Sequence, residues 1–146
     1  MDQADYGVRN HCKNVRYQVK VNGEVSETFL PQRGLRQGDP LSPYLFLLCA
    51  EAFSALLKKG ERDGAIAGVR ICHRAPSISH LLFADDSLIL IHATEGDSRE
   101  LQAILQLYEN CSGQMINKLK SAVLFSRNTN PQGKQIVCNT LQVNKL

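Results

Sequence analysis

Apolar and polar residues alternate strictly where the stretch 15–30, "VRYQVKVNGEVSETFL", opens. Val15, Tyr17, Val19 and Val21 fall on one face, and Arg16, Gln18 and Lys20 on the other. A period of two is that of a strand, and Asn22-Gly23 supplies the two positive-φ positions of a tight turn. The pattern predicts a β-hairpin with one wet face. Residues 31–42, "PQRGLRQGDPLS", are a loop with two glycines and two prolines. A helix over 43–59 follows, with Ser42 as its N-cap, Asp39 left for other work and Gly60 as its stop. Its first two turns, "YLFLLCA", are apolar all round, which predicts deep burial.

Residues 64–72, "GAIAGVRIC", give a short strand that "RAPS" breaks. The run "HLLFADDSLILIHA" (80–93) reads as strand, acidic turn, strand, with apolar flanks long enough to be buried on both faces. "GDSRELQAILQLYENCSGQ" is a second helix, capped by Asp97 with Glu100 completing a capping box, and ended by Gly113. Leu101, Ile104, Leu105, Tyr108 and Cys111 form its stripe, narrow enough to place it on the outside of a sheet. "SAVLFS" (121–126) is a last short strand, "RNTNPQGK" a loop, and 134–146 weakly helical without a closing cap. Helices interleaved with hairpins predict an α+β fold: an antiparallel sheet with helices packed on one face.

The 146 residues suffice for one domain around a single core. A hydrophobic fraction of 43% and a charged fraction of 21% are those of an ordinary soluble globular chain. A net charge of +3 does not by itself argue for nucleic acid. The N-terminal residues contain no apolar core of a signal peptide, and the uncharged run 44–50 is far too short to span a bilayer. The five cysteines are widely spaced without a C-x-x-C pair, so they read as reduced thiols of an intracellular, non-secreted chain. His11-Cys12 and Cys72-His73 are adjacent pairs, a poor geometry for chelating one zinc ion.

The chemistry concentrates in two places. Asp85 and Asp86 stand side by side in an apolar run. In a strand neighbouring side chains point to opposite faces, so one would face a site while the other supports it. A buried carboxylate without a partner neutralises, and a divalent cation is the usual remedy. Mg²⁺ in particular takes a few carboxylates plus substrate phosphates. The alternative is that Asp-Asp is turn chemistry alone, although no Gly follows it to mark a type I′ turn. The second place is "RGLRQGDPLSP" (33–43), where Arg33, Arg36 and backbone N–H groups ahead of a helix suit phosphate or a base. A plain lead-in with solvated arginines is the alternative there.

Taken together, "RGLRQGDPLSPYLF" and "FADD" resemble reverse transcriptases, specifically those of plant non-LTR (LINE-type) retrotransposons. "VNGEVSETFLPQRGLRQGDPLSPYLFLLCAEAFSALL", "ISHLLFADDSLIL" and "LYENCSGQMINKLKSAVLFSRNT" look like consecutive blocks of that family's palm domain. The resemblance implies a tail over 1–11, a palm fragment over 12–127 and a connection toward the thumb over 128–146. It implies template-directed nucleotidyl transfer with two metal ions, Mg²⁺ or Mn²⁺, on an RNA template with a DNA primer and dNTP. By the same resemblance Asp85 is a metal-binding carboxylate and Asp86 its supporting neighbour. Gln37 and Gly38, with Arg33 and Arg36, lie against the nucleotide and template. Phe83 packs near the primer end, and Lys120 steers or protonates the pyrophosphate, with Lys118 as its neighbour. Lys120 as a solvated charge on a strand edge is the plainer alternative.

The family's remaining carboxylate comes from a strand upstream of the Arg-Gly-Leu-Arg-Gln-Gly loop, in a D-x-x-x-(A)-F/Y-D pattern. Asp2 and Asp5, in "MDQADYGV", do not match it. The expectation is therefore a truncated palm, inactive alone, with an open sheet edge and an uncovered apolar helix face. A non-catalytic nucleic-acid binder or a marginally folded remnant is the second reading. A metal-dependent hydrolase is disfavoured, because His73, His80 and His92 offer no chelating set.

Overall fold

Asn22 and Gly23 both take positive φ, 51° and 94°, and turn the chain between β1 (Lys20–Val21) and β2 (Glu24–Val25). The computed structural model describes residues 16–30 and 38–145, and the chain divides after Leu45 into two compact units. In the first unit the antiparallel pairs Lys20–Val25 and Val21–Glu24 are continued by Ser26, whose N–H donates to Val19 O at 2.8 Å. Further out, Tyr17 and Phe29 exchange backbone bonds of 3.0 and 2.9 Å, and their rings stack 6.0 Å apart. The second strand carries one residue more than the first between these two pairs, as in a β-bulge. The expected dry face is not dry: Tyr17, Val19 and Val21 are all exposed, and so is Val25 on the opposite face beside Lys20. A two-stranded ribbon has no layer of its own to bury them against.

Helix α1 runs Ser42–Arg62. Asp39 Oδ1 accepts the Leu41 N–H at 2.8 Å, and Leu41 O accepts the Leu45 N–H at 3.0 Å. Asp39 therefore shapes the lead-in turn and is not left for other work, and Ser42 occupies the first helical position instead of the cap. Pro43 costs nothing there, since first-turn N–H groups have no intrahelical acceptor. The deep burial expected of "YLFLLCA" is not found. Tyr44, Leu47 and Leu48 are exposed, and burial begins with Phe53, Ser54 and Leu57. An all-round apolar run is buried only where layers pack on every side of it, and the early turns lack them among the described residues.

Gly60 does not stop the helix. A Cβ there would lie 3.0 Å from Ile104 Cδ1 and 3.3 Å from Ile66 Cγ1, so its missing side chain admits those residues. The helix ends at Gly64 (φ 71°), where Gly64 N–H donates to Glu61 O and Ala65 N–H to Gly60 O, at 3.1 and 2.9 Å. That is the reciprocal pairing of a Schellman cap. The Ile66 N–H also turns back to Gly60 O, at 3.2 Å. Its backbone is thus committed to closing the helix, and the expected strand over 64–72 shrinks to a Val69–Ile78 bridge.

Strands β3 (His80–Phe83) and β4 (Asp86–Ile89) form an antiparallel hairpin. Helix α2 (Glu95–Ser112) is capped by Thr94, not Asp97: Thr94 Oγ1 accepts the Asp97 N–H at 3.1 Å. Asp97 sits in the first turn, and its Oδ2 accepts the N–H groups of Ala67 (2.9 Å) and His92 (3.4 Å). Gly113, at φ 73°, closes the helix as expected. Leu101 and Ile104 are buried, whereas Cys111 at the end of the expected stripe is exposed.

The core joins Phe53 and Leu57 of α1, Ile66, and Leu101 and Ile104 of α2, with Leu82 and Ile89 of the hairpin packed against it. The Phe53 and Tyr108 rings lie 4.6 Å apart. α2 thus packs on α1 as well as on the hairpin. Helix α3 (Pro131–Leu141) has clear ends, contrary to the uncapped tail expected. Asn130 Oδ1 accepts the Gly133 N–H, and Gln142 takes the left-handed C-cap. β5 (Ala122–Val123) then pairs in parallel with β6 (Asn144–Lys145). The fold is mixed α+β, as a partial polymerase palm would be. Its described sheets are three separate two-stranded ladders in place of one continuous sheet.

Candidate functional site

The register of the β3–β4 hairpin sorts its side chains. His80 pairs with Ile89, Leu81 with Leu88, Leu82 with Ser87 and Phe83 with Asp86. Cross-strand partners share a face. One face carries His80, Leu82 and Ile89 and meets the core. The other carries Leu81, Leu88, Phe83 and Asp86 and is exposed, so the flanks are not buried on both faces as expected. Both faces are rich in apolar residues, and the core covers one of them.

Ala84 and Asp85 form the two-residue turn between the Phe83–Asp86 pair. Ala84 takes φ 49°, a left-handed conformation that costs an L-residue with a Cβ roughly 1–2 kcal/mol. Positive φ at the first turn position matches the twist of the flanking strands. The turn that lacked a glycine is thus made with alanine under strain, the kind of strain that clusters at functional sites. Asp85 lies in the turn, outside strand alternation. Asp86 is a strand residue on the same side as Phe83. All three are exposed at one end of the hairpin.

The inner face holds a polar link that sequence reasoning missed. His80 Nε2 lies 2.8 Å from Ser54 Oγ of α1, and Nδ1 lies 3.0 Å from Ser79 Oγ. Burial, with Lys58 adding to it, holds His80 below the usual histidine range, while Glu61 opposes. The Ser77 hydroxyl holds the Glu61 carboxyl below its usual range against partial burial, helped by Ser79, His80 and Arg70. His80 shares strand phase with Leu82, but apolar residues in both phases of the run leave the core-facing phase undecided in the sequence.

The other expected site residues stand apart from the hairpin in the chain. Lys120 ends a turn in which Asn117 Oδ1 accepts the N–H groups of Leu119 and Lys120 at 3.1 and 3.2 Å, and its side chain is exposed. Lys118 Nζ donates to Gln142 Oε1 at 2.8 Å. Gly38, at φ 80°, is a turn residue of the first unit. Arg33, Arg36 and Gln37 lie outside the described residues.

Two adjacent exposed carboxylates are hard oxygen donors. They suit one Mg²⁺ or Mn²⁺ ion whose remaining positions go to water and phosphate. No group of three or more His, Cys, Asp and Glu residues able to hold a metal occurs among the described residues. The described residues thus offer the two carboxylates of Asp85 and Asp86 at the tip and no larger donor set. No helix among them is long and apolar enough to cross a membrane.

The family profile described as reverse transcriptase (RNA-dependent DNA polymerase) matches residues 4–141. An uncharacterized mitochondrial protein of Arabidopsis thaliana is 51% identical over 67 residues, covering 46% of this chain and 55% of that protein. The retrovirus-related Pol polyprotein from a type-1 retrotransposable element of Nasonia vitripennis is 37% identical over 101 residues, covering 66% of this chain and 9% of the polyprotein. A Pol polyprotein from a type-2 retrotransposable element of Drosophila melanogaster is 34% identical over 93 residues, covering 64% and 8%. The chain thus spans about half of the first relative and less than a tenth of the polyproteins. No solved structure gives a significant match. The acidic hairpin and a match that runs nearly from end to end place the chain in one family: it belongs to the reverse transcriptases.

Proposed function

We propose that the chain carries the metal-binding hairpin of a template-directed nucleotidyl transferase, and that alone it binds the ion without extending a primer. The observation that supports this most is the tip itself: Asp85 and Asp86 exposed together beyond the strained Ala84 turn, with Phe83 beside Asp86. A divalent cation held there would neutralise phosphate charge during nucleotidyl transfer. Asp85 and Asp86 hold it. Phe83 lies against the primer end, and Lys120 meets the pyrophosphate. Arg33, Arg36, Gln37 and Gly38 contact nucleotide and template, with RNA template, DNA primer and dNTP as the partners. The donor count among the described residues supports the lack of catalysis in this reading, because two ions need more carboxylates than one hairpin tip supplies.

The test is Mn²⁺ added to ¹⁵N-labelled chain. Paramagnetic broadening centred on Ala84–Ser87 at sub-millimolar to millimolar Mn²⁺, lost in Asp85→Ala, supports the reading. Broadening centred elsewhere, or unchanged in Asp85→Ala, overturns it. Binding of primer–template that weakens steeply with salt is expected alongside.

A further inference from the structure

We infer that His80 is a positioning residue, one that fixes the acidic hairpin on α1 through its bond to Ser54. The inference rests on the metal-binding reading above for its consequence at Asp85 and Asp86. It rests on geometry alone for the link itself.

Leu82 and Ile89 hold the hairpin to the core by apolar contact, which is non-directional and tolerates sliding. A hydrogen bond between α1 and β3 does not. Both ring nitrogens of His80 are engaged, Nε2 by Ser54 Oγ at 2.8 Å and Nδ1 by Ser79 Oγ at 3.0 Å, so the imidazole is fixed in orientation. Ser54 and Ser79 are only 8% and 3% exposed, so water competes little for these bonds. A neutral imidazole offers one donor and one acceptor, and a hydroxyl can answer either. The link therefore needs no charge, and the depressed titration of the ring agrees with that. His80 starts the strand whose far end carries the tip. At ~3.3 Å per residue, Asp85 lies roughly 16 Å along the chain from His80. A hairpin released at His80 opens its ladder more often, and with it loosens the placement of Asp85 in the turn against Asp86 in β4, which metal coordination needs.

The test uses the full chain with His80→Phe, Ser54→Ala and His80→Gln. His80→Phe keeps a ring but cannot bond, Ser54→Ala removes the other partner, and His80→Gln restores a donor and an acceptor. Amide exchange is read at the β3–β4 ladder and, as a reference, along α2. Mn²⁺ broadening is read at Ala84–Ser87. In His80→Phe and Ser54→Ala, ladder exchange should rise about five- to tenfold relative to α2. Tip broadening at fixed Mn²⁺ should fall severalfold, and His80→Gln should recover much of both. Exchange that rises equally in the ladder and α2, or in neither, overturns the inference, as does ladder loosening with unchanged Mn²⁺ response. Should the wild-type chain show no Mn²⁺ response at the tip, the metal reading fails. The ladder exchange then still decides whether His80 fixes the hairpin. A variant that fails to fold is replaced by Ser54→Ala, which removes one hydroxyl and no volume from the ring.

Discussion

Phe83 and Asp86 pair across the end of the β3–β4 hairpin, so a ring that is 83% exposed and a carboxylate stand on one side of the sheet. A phenylalanine so exposed contributes little to folding. Phe83→Ala should leave stability within about 0.5 kcal/mol of the parent. It should weaken binding to a primer–template duplex severalfold, as loss of a stacking or packing surface does. Urea melts and fluorescence anisotropy read the two quantities separately.

Ala84 tests the strain in the tip. Glycine adopts φ 49° without the Cβ penalty but loses more entropy on folding, so Ala84→Gly should gain less than about 1 kcal/mol. Ala84→Val, β-branched in a left-handed position, should destabilise the hairpin by more than about 1 kcal/mol. Amide exchange at the β3–β4 ladder distinguishes the two. Equal protection in both variants would contradict the strained turn.

Asp97 gives the fold an acid limit. Burial pushes its carboxyl up, but hydrogen bonds from Thr94, Ala67 and His92 together outweigh it and hold it below its ordinary range. A carboxyl lowered on folding stabilises above its unfolded value and loses that contribution as pH falls through the folded one. Stability should therefore fall below about pH 4. Asp97→Asn should flatten that part of the profile, and Asp97→Ala should cost about 1.5–3 kcal/mol at neutral pH. Chemical denaturation between pH 3 and 7 measures both.

The chain packs closely around Gly68, beside the Val69–Ile78 bridge. A Cβ on Gly68 would lie 2.9 Å from the Ile78 carbonyl carbon and 2.8 Å from Glu61 Oε1. Gly68→Ala should cost about 1–3 kcal/mol through forced backbone shifts. Leu57→Ala, at a fully buried position, should cost about 2–5 kcal/mol. Thermal melts of the two variants check these values.

Local chemistry was legible in the sequence where one residue type has one use. Asn22-Gly23 and Gly113 take the positive φ that their positions demanded. It was illegible where two residues compete for a role. Gly60 and Gly64 both offer a helix stop, and the nearness of Ile104 and Ile66 to Gly60 decides between them. Thr94 and Asp97 both offer a cap, and Asp97 is drawn into bonds with Ala67 and His92 from outside its helix. The site divides in the same way. The acidic tip could be read from its motif, whereas the Ser54–His80 link joins residues 26 positions apart and belongs to packing. The apolar flanks of the tip gave no parity signal, so the exposed face of Leu81, Phe83 and Leu88 was not foreseen.

The most direct measurement is primer extension by the purified chain on a primed RNA template with dNTPs and Mg²⁺ or Mn²⁺, alongside Asp85→Ala. The account predicts incorporation no greater than that of Asp85→Ala, even where Mn²⁺ visibly binds the tip. Template-directed incorporation that disappears in Asp85→Ala would contradict it.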